Sequence, residues 1–247
     1  YKRAPFDNPE FRRAMGLAID KDAILAGAYS GYATINYNPY PVGNPGYDPA
    51  IGEELGMKYD KEAAAALFEE LGWTDSDGDK VREAHGVDGV EEGKVAEFTC
   101  WTYPFEIKKR ECEIIQANLG EVGIKINIQL TDFGTMSAEM PKAEFDFDVM
   151  RWTYNEPVIL SLLFKCPGWK ELFCDEELDK LLTSADTEMD PVARVELIKQ
   201  AQRYILEKAI VIPFASDWYQ TASYKTVHNL RYDATFGLTY DDAWISE

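Results

Sequence analysis

From Arg151 to Pro157 the chain reads Arg-Trp-Thr-Tyr-Asn-Glu-Pro, setting flat aromatic rings, a hydroxyl, an amide and a carboxylate side by side ahead of a proline. Groups of this kind recognise a small molecule through hydrogen bonds and ring contact. The residues leading into them, Phe145 to Trp152, read as a strand with Phe145, Phe147 and Val149 on one face and Asp146, Asp148 and Met150 on the other. Polar groups held where a strand exits onto a loop are where α/β proteins usually meet their ligands. The candidate ligand-binding residues are therefore Trp152, Thr153, Tyr154, Asn155 and Glu156. Trp101 and Tyr103 join them, because alternation puts both on one face of another strand, facing either core or cleft. Glu156 has a second reading, as a cap for a helix that begins near Pro157.

Two other chemistries have candidate residues in the chain. Asp146, Asp148 and Glu156 could supply an acid/base pair of glycosidase type, but Asp146 and Asp148 alternate on a strand face expected to meet water. The chain carries no Gly-x-Ser-x-Gly elbow, no phosphate-cradling glycine loop and no dinucleotide fingerprint, and neither His85 nor His228 stands beside a nucleophile. A noncatalytic protein without a cofactor is expected. Asp75, Asp77 and Asp79 imitate the start of a calcium loop, yet the twelfth position is Gly86 rather than a bidentate glutamate, so a solvated turn is expected and no metal site.

The composition narrows the class. With 247 residues the chain can bury a real core, as one large domain or two small ones. Its 44 acidic against 25 basic residues give a formal charge of −19, which repels nucleic acid and anionic lipid. No apolar run reaches the roughly 20 residues that span a bilayer. The chain opens on Tyr1-Lys2-Arg3, so a targeting segment is expected to have been removed, or the chain to begin partway into a longer protein. Cys100, Cys112, Cys166 and Cys174 lack metal-ligand spacing. Cys166 and Cys174 flank one short loop, leaving open a local disulfide outside the cytoplasm, and Cys112 shares helical spacing with Ile115 and Leu119 as a small buried residue.

The elements that must position these groups alternate in type. Helices are expected after Asn8-Pro9, from Asp20 to Tyr29, over Lys61 to Leu71 with Gly72 as the stop, over Phe105 to Leu119, near Val158 to Phe164, over Glu176 to Ala185 and after Asp190-Pro191. Strands are expected over Val95 to Tyr103, Lys125 to Leu130, Phe145 to Trp152 and Ala209 to Phe214. Gly31 to Tyr47 holds too many breakers for regular structure and reads as a long loop. The fold class is α/β, with a strand-helix-strand unit at its centre.

Four blocks carry a family resemblance: Asn8-Pro9-Glu10-Phe11-Arg12-Arg13-Ala14 through Ala18-Ile19-Asp20-Lys21; Tyr59-Asp60 through Leu71-Gly72-Trp73 with the aspartate-rich loop; Ile115-Gln116-Ala117-Asn118-Leu119 through Gly123-Ile124; and Tyr154-Asn155-Glu156-Pro157. In this order they resemble the C-terminal part of extracytoplasmic solute-binding proteins of the oligopeptide and dipeptide class, the soluble receptors of ABC importers. The resemblance implies a type II periplasmic-binding-protein-like fold of two α/β lobes. This chain would supply the second, C-terminal lobe, a mixed sheet flanked by helices over residues 1–217, plus a tail, 218–247, that returns to an absent first lobe. That tail is expected to be poorly ordered or to pair with a neighbouring molecule.

The implied partners are a peptide, with oligosaccharide as the alternative ligand, and an ABC permease, with a lipid anchor possible in the complete protein. A glycosidase-like hydrolase and a protein-interaction module stand as further alternatives. In peptide-binding relatives an aspartate just before the Tyr-Asn-Glu-Pro block holds the ligand's α-ammonium; Thr153 stands there instead. Some dipeptide receptors carry an arginine after the strand matching Val95 to Tyr103; only Pro104 separates Tyr103 from Phe105.

Overall fold

Helix starts in this chain are written in aspartate and asparagine. In the computed structural model, which describes residues 3–139, 142, 145–153, 158–166, 174–233 and 237–246, Asn8 opens α1 (Pro9–Ala18) by accepting the Glu10 N–H at 2.9 Å. Asp20 caps α2 (Lys21–Gly27) in the same way. After β1 (Ala33–Ile35), Asp48 caps α3 (Pro49–Leu55) and Asp60 caps α4 (Lys61–Glu70). Each cap satisfies an orphan helix N–H and is worth about 1 kcal/mol. These three carboxylates sit at helix N-termini, where the helix dipole favours them. The expected loop from Gly31 to Tyr47 is interrupted by β1, whose three residues are too short to show a period. The short α3 was likewise not foreseen.

Gly72 ends α4 as expected, in the left-handed region at φ +86°. The chain then forms the pairing β2 (Trp73–Thr74) with β3 (Glu83–Ala84) around the aspartate-rich loop. That loop is the expected turn of side-chain to backbone bonds: Asp75 accepts from Gly78 and Lys80, Asp77 from Asp79, and Asp79 from Val81. The central unit follows, β4 (Glu97–Thr102), α5 (Glu106–Gly120) and β5 (Lys125–Leu130), with β4 and β5 parallel. α6 (Phe133–Glu139), which was not expected, leads to β6 (Phe147–Val149), parallel to β4 on its other side. The sheet order is β5-β4-β6, leaving β6 at an edge.

Phe98 and Cys100 of β4 pack on Cys112, Ile115 and Leu119 of α5, beside Phe6, Phe11, Phe68 and Trp73, in the larger core. The rings of Phe6, Phe11 and Phe98 meet edge to face at 5.1–5.7 Å, the geometry that ring quadrupoles prefer. Cys112 is the small buried residue its spacing suggested.

A second core joins α7 (Val158–Phe164), α8 (Glu176–Thr187) and α9 (Pro191–Glu207), the last two capped by Asp175 and Asp190. Cys166 and Cys174 form a disulfide, with Cα atoms 4.9 Å apart. The expected strand from Ala209 to Phe214 does not form. Ala209 takes a positive φ and Pro213 has no N–H to give a ladder, so pairing begins only at β7 (Ala215–Asp217), antiparallel to β1. Beyond it, β8 (Val227–His228) pairs with β11 (Trp244–Ile245), and β9 (Arg231–Tyr232) with β10 (Leu238–Thr239). Among the described residues the tail thus pairs with itself, and Trp218 ties it back to β1 through Thr34 Oγ1 at 2.9 Å.

Candidate functional site

The parallel strands β4, β5 and β6 deliver their C-terminal ends to one edge, the place where such sheets present ligand-binding groups. At that edge β6 is shorter than its sequence suggests. Its ladder stops at Val149 because its partner residue on β4, Thr102, is the last of that strand. Met150 to Thr153 leave the sheet and turn toward the second core. Beside β6 lies a cavity of about 570 Å³, bounded across from the strand by the segment Ala209–Phe214 and by β7. Its volume is that of a small-molecule site.

Trp152 and Thr153 both line this cavity. Trp152 is half-buried and packs against the second core, while Thr153 is exposed. Tyr154, Asn155 and Glu156 lie outside the described residues. Trp101 is buried and does not belong to the cavity wall; its ring stacks on Phe145, which does, at a centroid distance of 4.8 Å. Tyr103 is half-buried at the C-terminal end of β4, and its ring lies 6.1 Å from that of Phe105 and 6.0 Å from that of Phe133. Phe105 and Phe133 are both more than half exposed. These three rings form an aromatic platform at the strand edge. Burial, reinforced by Asp148, pushes the Tyr103 hydroxyl up to about 12.

Asp146 and Asp148 do not simply face water. The Asp146 carboxylate accepts the Thr99 N–H at 2.7 Å and pairs with Arg3 at 2.7 Å, so it fastens β6 to β4. Asp148 contributes to the cavity wall, and desolvation raises its carboxyl to about 6. Their separation into a structural and a wall role arises because β6 is an edge strand with a cavity beside it.

Other charged groups at the wall join elements far apart in the chain. Arg151 pairs with Asp217 at 2.8 Å and joins the exit of β6 to the end of β7. Arg12 donates to the carbonyls of Phe6, Lys208 and Ala209, holding the turn that starts the opposite wall. Lys108 and Glu111 form a buried ion pair at 2.7 Å, and Glu111 also accepts the Tyr29 hydroxyl. Burial first and Glu111 second push that hydroxyl up. Lys108 could have been found from sequence, since it lies one turn before Cys112 and so on the buried face of α5.

Comparison with known proteins identifies the family to which this fold belongs. The sequence matches the bacterial extracellular solute-binding proteins, family 5, over residues 1–170. The chain belongs to this family. It is 28% identical over 246 residues to di/tripeptide-binding protein 1 of Pseudomonas aeruginosa (strain UCBPP-PA14), covering 95% of this chain and 42% of that protein. Among solved structures, NikA from Brucella suis in complex with Fe(III)-EDTA superposes with a TM-score of 0.82 at 19% identity, over 99% of this chain and 49% of that one. A mannohexaose-bound periplasmic oligopeptide-binding protein from Thermotoga maritima gives 0.76 at 23% identity, over 92% and 45%. The chain thus spans less than half the length of these relatives.

Proposed function

We propose that this chain is the second ligand-binding lobe of a longer receptor, which captures peptides or a similar small solute outside the cytoplasmic membrane and hands it to an ABC permease. The observation that carries the reading is the cavity beside the edge strand β6, walled by Trp152 and Thr153 at the point where the sequence places its recognition groups. Tyr154, Asn155, Glu156 and Tyr103 are further ligand-binding residues in this reading, and Trp101 supports the wall from behind through its stacking on Phe145. No bond is made or broken in this reading: the pairs Arg3–Asp146 and Arg151–Asp217 at the cavity serve as ties between elements. Hinge closure of a first lobe over the site supplies the remaining contacts and excludes water. The lobe alone binds more weakly for that reason.

Residues 1–217 form the lobe in this reading and 218–247 the returning tail. Its support is the tail's surface: Tyr224, Tyr240, Trp244 and Ile245 are all more than half exposed, as residues that meet a first lobe in the complete receptor would be. The Cys166–Cys174 disulfide suits an oxidising, extracytoplasmic setting. No helix among the described residues is long and apolar enough to cross a membrane.

A second reading, an oligosaccharide receptor of the same fold, is favoured by one feature. The platform of Tyr103, Phe105 and Phe133 offers flat faces of the kind on which sugar rings stack. Mass spectrometry of small molecules that copurify with the complete receptor, followed by calorimetric titration, separates the two. Peptides binding at micromolar concentration support the first reading, and saccharide binding without peptide binding replaces it with the second. Turnover of either ligand defeats both.

A further inference from the structure

Charge in the cavity wall is matched group by group, with one exception. Arg3 pairs with Asp146, Arg151 with Asp217 and Lys108 with Glu111, and Arg12 is engaged by three backbone carbonyls. Asp148 lies in the same wall, yet among the described residues its carboxylate has no side-chain partner, only its own backbone N–H. Its neighbours do not supply a counter-charge. Across the ladder it is in register with Trp101, and the titratable groups that bear on it from β4 are Tyr103 and Cys100, both pushed up by their surroundings and uncharged at neutral pH. A carboxylate drawn out of water without a cation is costly, and removal of that cost is available to whatever brings one.

We propose, building on the receptor reading, that Asp148 selects the charge of the ligand by receiving a cationic nitrogen, ammonium or guanidinium, of the solute seated in the cavity beside β6. The position differs from the one that the family resemblance assigns to ammonium recognition, where this chain has Thr153. Asp148 lies on the strand itself rather than on the loop that follows it. A charge-assisted hydrogen bond in a sheltered wall is stronger than the same contact in water. The paired charges around the cavity do not compete for the ligand's cation, because each already has its partner.

At neutral pH the carboxyl, titrating near 6, is mostly ionised; at pH 5 only about one-tenth of it is. The other charged groups of the wall are Arg3, Arg12, Lys108, Asp146, Arg151 and Asp217, and neither histidine lies in it.

Calorimetric titration of the complete receptor with trialanine, N-acetyl-trialanine and N-acetyl-Ala-Lys-Ala tests the assignment and separates a terminal from a side-chain cation. The expected result at pH 7.5 is that a cation-bearing peptide binds about tenfold or more tighter than N-acetyl-trialanine. In Asp148→Asn that preference disappears. In the unmodified receptor it shrinks by about tenfold at pH 5, a comparison that holds even if the variant folds poorly. Retention of the preference in Asp148→Asn, or its insensitivity to pH, overturns the proposal. Equal binding of all three peptides overturns it while leaving the peptide receptor intact. Failure of every peptide to bind refutes the peptide reading itself, and spermidine then decides for Asp148: binding that Asp148→Asn weakens supports it, and unaffected or absent binding overturns it.

Discussion

Glu111→Leu should be among the most damaging single changes in this chain. Glu111 is fully buried and Lys108 is 6% exposed, with 2.7 Å between their charged atoms, so neither charge is screened by solvent. Removing one member of such a pair leaves the other buried and uncompensated, a loss of about 3–5 kcal/mol. Glu111→Leu also strips the acceptor from the Tyr29 hydroxyl, roughly 1 kcal/mol more. Lys108→Met alone costs less, because Glu111 keeps its bond from Tyr29. The double variant Lys108→Met/Glu111→Leu removes both charges together and should recover most of the loss, since a well-packed apolar pair of similar volume often matches or exceeds a buried ion pair in stability. Urea denaturation followed by circular dichroism gives all three values. A double variant whose loss is the sum of the single losses to within about 0.5 kcal/mol refutes the reasoning, because uncoupled residues add in that way.

Three further outcomes are expected. Gly72→Ala should destabilise by more than about 1 kcal/mol, because the residue sits at φ +86° and an added Cβ would stand 2.4 Å from the His85 carbonyl oxygen; an unchanged urea midpoint counts against this. Asp148, whose carboxyl rises from 3.8 unfolded to about 6 folded, contributes stability that is present below about pH 4 and lost as pH rises through 6. Asp148→Asn should therefore melt above the parent at pH 7.5, with the gap narrowing toward pH 5; a gap that is constant with pH contradicts the assignment. Replacing Cys166 and Cys174 by alanine should cost roughly 2–3 kcal/mol, the loop-closure entropy expected for a sequence separation of 8. Equal urea midpoints for the parent, with and without reductant, and for the variant would show that this loop is already constrained without the bond.

Legibility followed the range of the interaction. The helix starts at Asn8, Asp20, Asp60 and Asp190 were readable because a cap, its N–H partners and the following apolar period all lie within a few residues. The strand-helix-strand unit was readable for the same reason. The segment Ala209 to Phe214 misled, since apolar content alone cannot tell a strand from a cavity wall, and Pro213 carried the warning. Asp146 and Asp148 misled in the opposite direction. Alternation put them together on one face, but pairing with Thr99 and Arg3 made the first a tie and left the second in the wall.

The amino-acid order alone determined the α/β class, the helix boundaries set by caps, the disfavouring of nucleic-acid partners by charge, and the family blocks, because each depends on local spacing or on sums over the chain. Only the tertiary structure decided that Trp152 and Thr153 share a cavity with Arg12, Lys108 and Asp217, that Trp101 stands behind the wall rather than in it, and that Asp148 has no counter-charge among the described residues. These depend on contacts between residues far apart in the chain, such as Arg3 with Asp146 and Arg12 with Ala209. Local propensity carries no record of such pairs, since each partner's free energy is defined only once the core has brought the other beside it.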